Sequence, residues 1–465
     1  MRVLKFGGIA FADAQRMRES VKIVRELHRT AGTTPAVVCS ALPGITDALL
    51  RAARAAVHGG ETETDVVRRE LWNRHRQIAE KMVTDDWERE MLFQKLSELL
   101  KQLDRLTRAM ATLGEYSPRG IDAIASLGER FAAHLVAVIL RQNGVAAQMF
   151  DATELIVTDD HFGSARAFVD DSLQRIRERL LPTMQAGIVP VVTGYTGATR
   201  AGVVTTLGRG GGDYTAALIG AALDVEEVCL WTDVNGILTA DPKIVSDAMT
   251  LPKLTYAEAA EMATLSGSEI LHIRTLMPLA SRRIPLRIAN IYEPMLVGTV
   301  VSDEPLGNHA SAAIISTRGL SLVAASASPL PTVHDAWTQE YASAVTTRLA
   351  RSGIETLLVH QSDLDRTLMV LVRQPDATYT AEIFAEAFTE GYQITHITPV
   401  ALVSVISAAH GGALVPMVGL ALGTAQIHPL VVARTVFGHY MSFVLPDDEV
   451  VSAVQTLHRD LQFHA

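Results

Sequence analysis

The chain has 465 residues, 48% of them hydrophobic and 20% charged, with a formal net charge of −10. That length supports two or three packed domains and excludes a disordered polymer, and the acidic balance argues against nucleic acid or an anionic membrane surface as a partner. Cys39 and Cys229 are the only cysteines, which excludes a disulfide framework and fits a reducing, cytoplasmic compartment.

The N-terminal MRVLKFGG turns polar too early for a secretory leader. RVLKF predicts a first strand that ends at Lys5-Phe6 and runs into Gly7-Gly8. In a parallel α/β sheet, ligands collect at the carboxyl ends of strands. Lys5 is therefore either a phosphate-reaching cation over a backbone opened by the glycines, or a surface lysine at a strand end. A helix over DAQRMRESVKIVRELH and a strand over TPAVVCSAL follow. The next segment, Ser40 to Asp47, starts another helix, and the hydroxyls of Ser40 and Thr46 either cap it or face the same sheet edge.

Residues 62–112 are charged, periodic and poor in glycine and proline, which predicts two amphipathic helices forming a packing or lid subdomain. SLGERFAAHLVAVILRQ predicts a further helix. Glu129 within it is either on a solvated face or a partner for an amino group. IVPVVTGYT reads as a buried strand.

The most informative stretch is VVTTLGRGGGD at 203–213, where a β-branched run breaks into a glycine-packed turn before the helix former YTAALIGAAL. Backbone amides at such a helix start attract anions, and glycines such as Gly211 and Gly212 let a ligand approach closely. Arg209 and Asp213 add opposite charges four residues apart. The run lacks the Gly-Lys-Ser/Thr ending of a P-loop and the spacing of a dinucleotide fingerprint. Alone it reads as a turn or as an anion site. EVCLWTD then gives a strand ending at Thr232-Asp233, followed by the turn Asp241-Pro242-Lys243 and the strand PLRIANI. The fifteen histidines show no metal-ligand spacing such as HExxH, so no protein-built metal site is expected.

The alternation of strands and helices over residues 1–300 implies an α/β fold with a mainly parallel sheet covered on both faces. VSDEPLGNHASAA, 301–313, reads as a linker. Shorter elements come after it: LSLVAAS, a helix over 336–352, ETLLVHQ, TLMVLVR, a helix over 381–390, ALVSVIS and a final DEVVSAVQTLHRDL. They predict two small βαββαβ units. Gly391 to Ala433 carries no Asp, Glu, Lys or Arg, yet prolines and glycines interrupt it, so buried strands and an interface helix are expected rather than a membrane span.

In order, KFGG at 5–8, SALPGITDALL at 40–50, GER at 128–130, LGRGGGDYTA at 207–216, WTDVNGILTADPK at 231–243 and LHIRT at 271–275 resemble the aspartate kinases of the amino-acid kinase superfamily. The resemblance covers the whole chain. It implies a three-layer α/β/α kinase domain over 1–302, a linker over 303–316, and two ferredoxin-like ACT domains over 317–392 and 393–465, contiguous or interleaved. It implies transfer of the γ-phosphoryl group of Mg²⁺-ATP to the β-carboxylate of L-aspartate, the opening step toward lysine, threonine and methionine.

By the same resemblance, Lys5 contacts the transferred phosphate and Asp213 organises the phosphate-binding groups. Ser40, Thr46, Glu129 and Arg209 hold aspartate, with Glu129 near its ammonium and Arg209 near its α-carboxylate. Gly7, Gly8, Gly211, Gly212, Thr232, Asp233, Lys243 and Glu269 fall on the nucleotide side. An amino-acid effector at the ACT domains and a homodimer or homotetramer are implied as well.

The chain departs from the family pattern at several places. Ile9-Ala10 replace Thr-Ser, Gly212 replaces Ser, Glu269 replaces Lys, and Ile273 replaces Pro. Three of these losses remove groups that the resemblance places on the nucleotide-phosphate side. They leave two alternatives open: a catalytically weak amino-acid-binding regulatory homologue, or a kinase for another small carboxylate.

Overall fold

The structure is a computed structural model that describes residues 1–30, 32–265, 271–303, 313–327, 339–362, 366–388, 392–407, 413–434 and 440–461. The chain divides into two compact units. The first comprises Met1–Ile237, Thr250–Ala260 and Ile270–Pro305; the second comprises Leu238–Met249, Glu261–Glu269 and Leu306–Ala465.

The first unit begins with β1 (Arg2–Phe6), α1 (Ala14–Thr30), β2 (Ala36–Cys39), α2 (Ile45–Val57), α3 (Glu61–Met82), α4 (Asp86–Leu113), α5 (Pro118–Ala125) and α6 (Leu127–Gln142). It continues through β3 (Ala147–Phe150), β4 (Val157–Thr158), α7 (Val169–Gln185), β5 (Val189–Thr193), β6 (Thr196–Thr199), β7 (Val204–Thr206), α8 (Gly211–Leu223) and β8 (Glu227–Thr232). Then come β9 (Lys253–Thr255), α9 (Tyr256–Leu265, which runs into the second unit), α10 (Ile273–Ala280), β10 (Leu286–Asn290) and β11 (Thr299–Ser302).

An eight-stranded sheet has the order β3-β5-β2-β1-β8-β10-β11-β9 and is parallel except at the β10–β11 pair. Its central strands are buried on both faces: AVVC of β2 and VPVVT of β5 expose no residue. This is why they read as continuous apolar runs rather than as alternating ones. Leu4, Phe6, Val37, Cys39, Val191 and Trp231 face a core shared with α1, α2, α3, α4 and α6. On the other face α8 packs between α7 and α10. A Cβ on Gly220 of α8 would fall 2.5 Å from Val228 of β8, so glycine is what lets this helix lie close to the sheet. β4, β6 and β7 form a separate three-stranded sheet.

Local signals explain several boundaries. Asp85 caps α4 by accepting the Glu88 N–H at 2.8 Å, and Ser117 caps α5 ahead of Pro118 at its first turn. The two helices expected over 62–112 are α3 and α4. Val67, Leu71, Leu92, Leu96 and Leu103 enter the main core, which makes the pair a packing element. Pro118–Gln142 is long and apolar enough to cross a membrane, but 83% of its apolar window is buried inside the fold, as in a core helix.

The second unit contains β12 (Ala313–Ala327), α11 (Gln339–Arg351), β13 (Thr356–Ser362), β14 (Thr367–Arg373), α12 (Ala377–Ala387), β15 (Tyr392–Ile406), α13 (Leu414–Thr424), β16 (Val431–Arg434), β17 (Tyr440–Pro446) and α14 (Val450–Asp460). Its antiparallel sheet runs β13-β14-β12-β15-β17-β16. Val323 and Ala325 of β12 enter one core with β14, α11 and α12, whereas Ile314 of β12 enters another with β15, β17, α13 and α14. The two modules thus share β12 and β15, and β12 changes register around Gly319 between them.

Two differences from the sequence expectation stand out. β12 begins at Ala313, inside the stretch 303–316 read as linker, because Ile314 and Ile315 are buried against β15; residues 304–312 lie outside the described residues. In addition, Leu238–Met249 belongs to the second unit although it falls within 1–302. There Ala240 and Val245 are buried with α13 and α14, and Thr239 Oγ1 bonds His458 Nε2 at 3.0 Å. The expected helix over 336–352 is α11, its first residues lying outside the described ones, and the helix expected over 381–390 starts earlier, at Ala377.

Candidate active site

The register of the parallel sheet brings the functional loops to one edge. Phe6 of β1 aligns with Cys39 of β2 and Trp231 of β8, and Cys39 aligns with Thr193 of β5. Gly7, Ser40, Gly194 and Thr232 therefore emerge together. Their backbones are stitched by Gly7 N–H to Trp231 O (3.2 Å), Ser40 N–H to Phe6 O (3.3 Å) and Gly194 N–H to Cys39 O (2.8 Å). From β1 the chain moves outward to β2 on one side and returns later to β8 on the other, a switch point of the kind where doubly wound sheets bind ligands.

The glycine run forms the junction between β7 and α8. Gly208 and Gly210 adopt φ of 75° and 71°, a left-handed conformation that favours glycine. A Cβ on Gly210 would fall 2.8 Å from the Cβ of His272, so the residue before α10 packs directly on the loop. Asp213 sits in the first turn of α8, and its Oδ1 lies 2.7 Å from Lys5 Nζ at the end of β1. This ion pair joins the first motif of the chain to the glycine run. Gly212 faces both partners of the sheet edge: a Cβ there would come 3.3 Å from Lys5 Cε and 3.4 Å from Ser40 Oγ.

A cavity of about 500 Å³ opens over this junction, lined by Lys5, Ser40, Thr46, Glu129, Tyr195, Arg209 and Asp213 together with Gly163, Gly208 and Gly210–Gly212. Its walls differ in character. Lys5, paired with Asp213, and the backbone and positive dipole end at the start of α8 line one part of it. Glu129, in the first turn of α6, is buried: one carboxylate oxygen accepts the Ala41 N–H at 3.4 Å, while Oε2 is buried without a hydrogen-bond partner. Burial pushes the Glu129 carboxyl up to about 8. A buried carboxylate oxygen without a donor is costly unless a ligand supplies one, and a primary ammonium suits it.

The structure thus brings Lys5, Ser40, Thr46, Glu129, Arg209, Gly211, Gly212 and Asp213 to one cavity. Four others, Gly7, Gly8, Thr232 and Asp233, lie at the same sheet edge without lining it. Gly8 is packed so closely on the β2–α2 loop that a Cβ would meet Ala41 O at 2.6 Å, and Thr232 donates to Asp233 Oδ1 at 3.2 Å. Lys243 belongs to the second unit, where its N–H donates to Asp241 Oδ1 at 2.9 Å. Glu269 lies outside the described residues.

Sequence reasoning missed two contributors. Tyr195 lines the cavity at φ 67°, a left-handed conformation that nothing in GYTG announces for the tyrosine. Asp122 is buried beneath the wall and accepts from Gly163 N, Thr206 N and Thr206 Oγ1. A lone aspartate inside the apolar run IDAIASLG was the available signal.

Comparison with known proteins agrees with this architecture. The amino acid kinase family model matches residues 1–290. The lysine-sensitive aspartokinase 3 of Escherichia coli is 30% identical, the alignment covering 99% of this chain and 98% of that protein. The crystal structure of E. coli aspartokinase III in complex with aspartate and ADP, an R-state, superposes with a TM-score of 0.82 at 29% identity, covering 99% of each chain. The T-state complex of the same enzyme with lysine and aspartate gives a TM-score of 0.79 at 28% identity over the same coverage. The chain belongs to the amino acid kinase family and, within it, to the aspartokinases.

Proposed function

We propose that the protein phosphorylates the β-carboxylate of L-aspartate at the expense of ATP, giving 4-phospho-L-aspartate and ADP. The observation that carries the reading is the single cavity in which Lys5, Asp213 and the start of α8 face the same space as Arg209 and the partner-free oxygen of Glu129. One end suits a phosphate chain and the other a small zwitterion with an extra carboxylate. The likeness to E. coli aspartokinase III in complex with aspartate and ADP supports the assignment.

The nucleophile is a carboxylate of ordinary pKa about 3.9, already ionised at neutral pH, so no base is needed. An oxygen of that carboxylate forms the bond to the γ-phosphorus as the bond to the β–γ bridging oxygen breaks, and ADP leaves with that electron pair. The obstacle is bringing an anion to a polyanion, and the residues address it by charge and alignment. Lys5, held by Asp213, stabilises the phosphoryl oxygens; the amide of Gly212 does the same from the α8 terminus, while the Gly211 N–H donates to Gly208 O at 3.0 Å and holds the turn. Glu129 takes the ammonium, Arg209 the α-carboxylate, and Ser40 and Thr46 line the same cavity.

Thr232 and Asp233 at the shared edge complete the proposed nucleotide side. Magnesium belongs to the proposal as an ion carried by ATP, where it neutralises phosphate charge. Asp213 lines the cavity and already pairs with Lys5, which suits an ion held chiefly by phosphate oxygens. An amino-acid effector in the second unit is part of the same proposal.

The test is a substrate series read by ADP release. L-Aspartate is expected to be turned over, whereas succinate, which lacks the ammonium, and β-alanine, which lacks the α-carboxylate, are not. Succinate or β-alanine turned over as well as aspartate would contradict the assignment of Glu129 and Arg209.

A further inference from the structure

Asp122 lies on α5 and is 1% exposed, yet it does not line the cavity. Its Oδ2 accepts the Gly163 N–H at 2.9 Å and the Thr206 N–H at 2.8 Å, and its Oδ1 accepts the Thr206 hydroxyl at 2.8 Å. Gly163 belongs to the cavity lining, and Thr206 is the last residue of β7, directly before the turn that carries Arg209. Leu207, the next residue, donates its N–H to Tyr195 O at 2.9 Å, and Tyr195 also lines the cavity. Two segments distant in sequence, 163 and 206, are thus fastened to one buried carboxylate. α6, which starts just after α5, carries Glu129. Burying a carboxylate this deeply is expensive, and three hydrogen bonds to a wall that would otherwise be loop are the compensation the structure offers.

We propose that Asp122 is a positioning residue for the amino-acid part of the cavity, fixing Gly163, Thr206 and, through the adjoining Leu207, Tyr195 into one wall. The inference rests on the reading of this cavity as the aspartate site. It assigns no contact with substrate or nucleotide to Asp122. Its loss should therefore loosen the amino-acid end while leaving the Lys5 end intact.

The experiment uses the full chain with Asp122→Ala, Asp122→Asn and Thr206→Val. Asparagine can keep the tie: Oδ1 accepts both amides, and Nδ2 donates to the Thr206 hydroxyl oxygen. Asp122→Ala is expected to raise KM for aspartate about tenfold or more while KM for ATP stays within about twofold, and Asp122→Asn is expected to return both close to wild type. Amide hydrogen exchange at Gly163 and Thr206 should accelerate in the alanine variant and not in the asparagine one.

Equal changes in the two KM values, or an asparagine variant as impaired as the alanine one, would overturn the proposal. Should Asp122→Ala fail to fold, Thr206→Val removes only the hydroxyl link and is expected to raise KM for aspartate about threefold; an unchanged value would overturn it. Exchange at the two amides separates the outcomes. If wild type shows no aspartate-dependent turnover, the functional reading fails, while exchange that does not accelerate in Asp122→Ala overturns the tie itself.

Discussion

At the scale of single residues, the chemistry rests on groups whose surroundings contradict their ordinary behaviour. Glu129 is the clearest. Burial holds its carboxyl at about 8, so the free protein carries it largely protonated at neutral pH, whereas an arriving ammonium favours the ionised form. Aspartate binding should therefore release a proton, and KM for aspartate should fall as pH rises from 6.5 toward 8.5, by up to about tenfold per unit below the Glu129 pKa. Glu129→Gln is expected to abolish that pH dependence and to raise KM about ten- to a hundredfold, measured by initial rates across pH. The same raised pKa works against the empty fold. The unfolded chain ionises Glu129 near its ordinary 4.5 and the folded one only near 8, so stability falls as pH rises through that window. Glu129→Gln should accordingly melt at a higher temperature than wild type at pH 8.5 without ligand.

Gly212 gives a second prediction at this scale. Its missing Cβ would sit 3.3 Å from Lys5 Cε and 3.4 Å from Ser40 Oγ, close but against flexible side-chain ends. Gly212→Ser should fold normally and lower KM for ATP by placing a hydroxyl beside Lys5, whereas Gly212→Val should displace Lys5 and reduce kcat about tenfold or more. Steady-state kinetics of the two variants check this.

At the scale of elements, the site depends on how tightly loops and helices close on the sheet edge. Gly8 is the tightest point between the β1 and β2 loops, and Gly8→Ala, with its Cβ 2.6 Å from Ala41 O, should force the loops apart and lower both kcat and melting temperature. Behind the site, α3 packs on α6 through His75, which is fully buried with its ring centroid 5.0 Å from that of Phe131. Nδ1 of His75 donates to Leu71 O at 2.7 Å, while Nε2 is buried without a hydrogen-bond partner. Burial lowers its pKa from 6.5 to about 4. The unfolded chain takes up this proton near 6.5 and the folded one only near 4, so stability is lost as pH falls between those values. His75→Phe should flatten the fall in melting temperature between pH 6.5 and 4; an unchanged slope would place the sensitivity elsewhere.

Much of this was legible in the sequence, for physical reasons. β2 and β5 announced themselves as short unbroken apolar runs, and α4 carried its capping aspartate. The glycine run advertised its turn because only glycine tolerates two left-handed residues so close together. What stayed hidden was set by tertiary contact. The positive φ of Tyr195 is held by partners far along the chain, its N–H bonding Thr215 Oγ1 and its carbonyl accepting from Leu207. Asp122 looked like one polar residue in an apolar helix until Thr206 and Gly163 folded onto it. β12 was obscured because only its pairing with β15 turns the end of an apparent linker into strand.

At the scale of the whole molecule, the chain couples an α/β unit that builds the cavity to a second unit of paired βαββαβ-like modules. Leu238–Met249, which carries the Lys243 turn, is packed into the second unit by Ala240 and Val245. That segment therefore shares a core with the modules proposed to bind an effector. The central claim concerns the cavity itself: aspartate bound between Glu129 and Arg209 receives phosphate beside Lys5. Its most direct test is trapping of the acyl phosphate as the hydroxamate, with purified full-length protein, Mg²⁺-ATP and L-aspartate, comparing wild type with Lys5→Ala. Wild type is expected to yield aspartyl hydroxamate and Lys5→Ala none, although that variant still binds aspartate by calorimetry. No hydroxamate from wild type, or near-normal yield from Lys5→Ala, would contradict it.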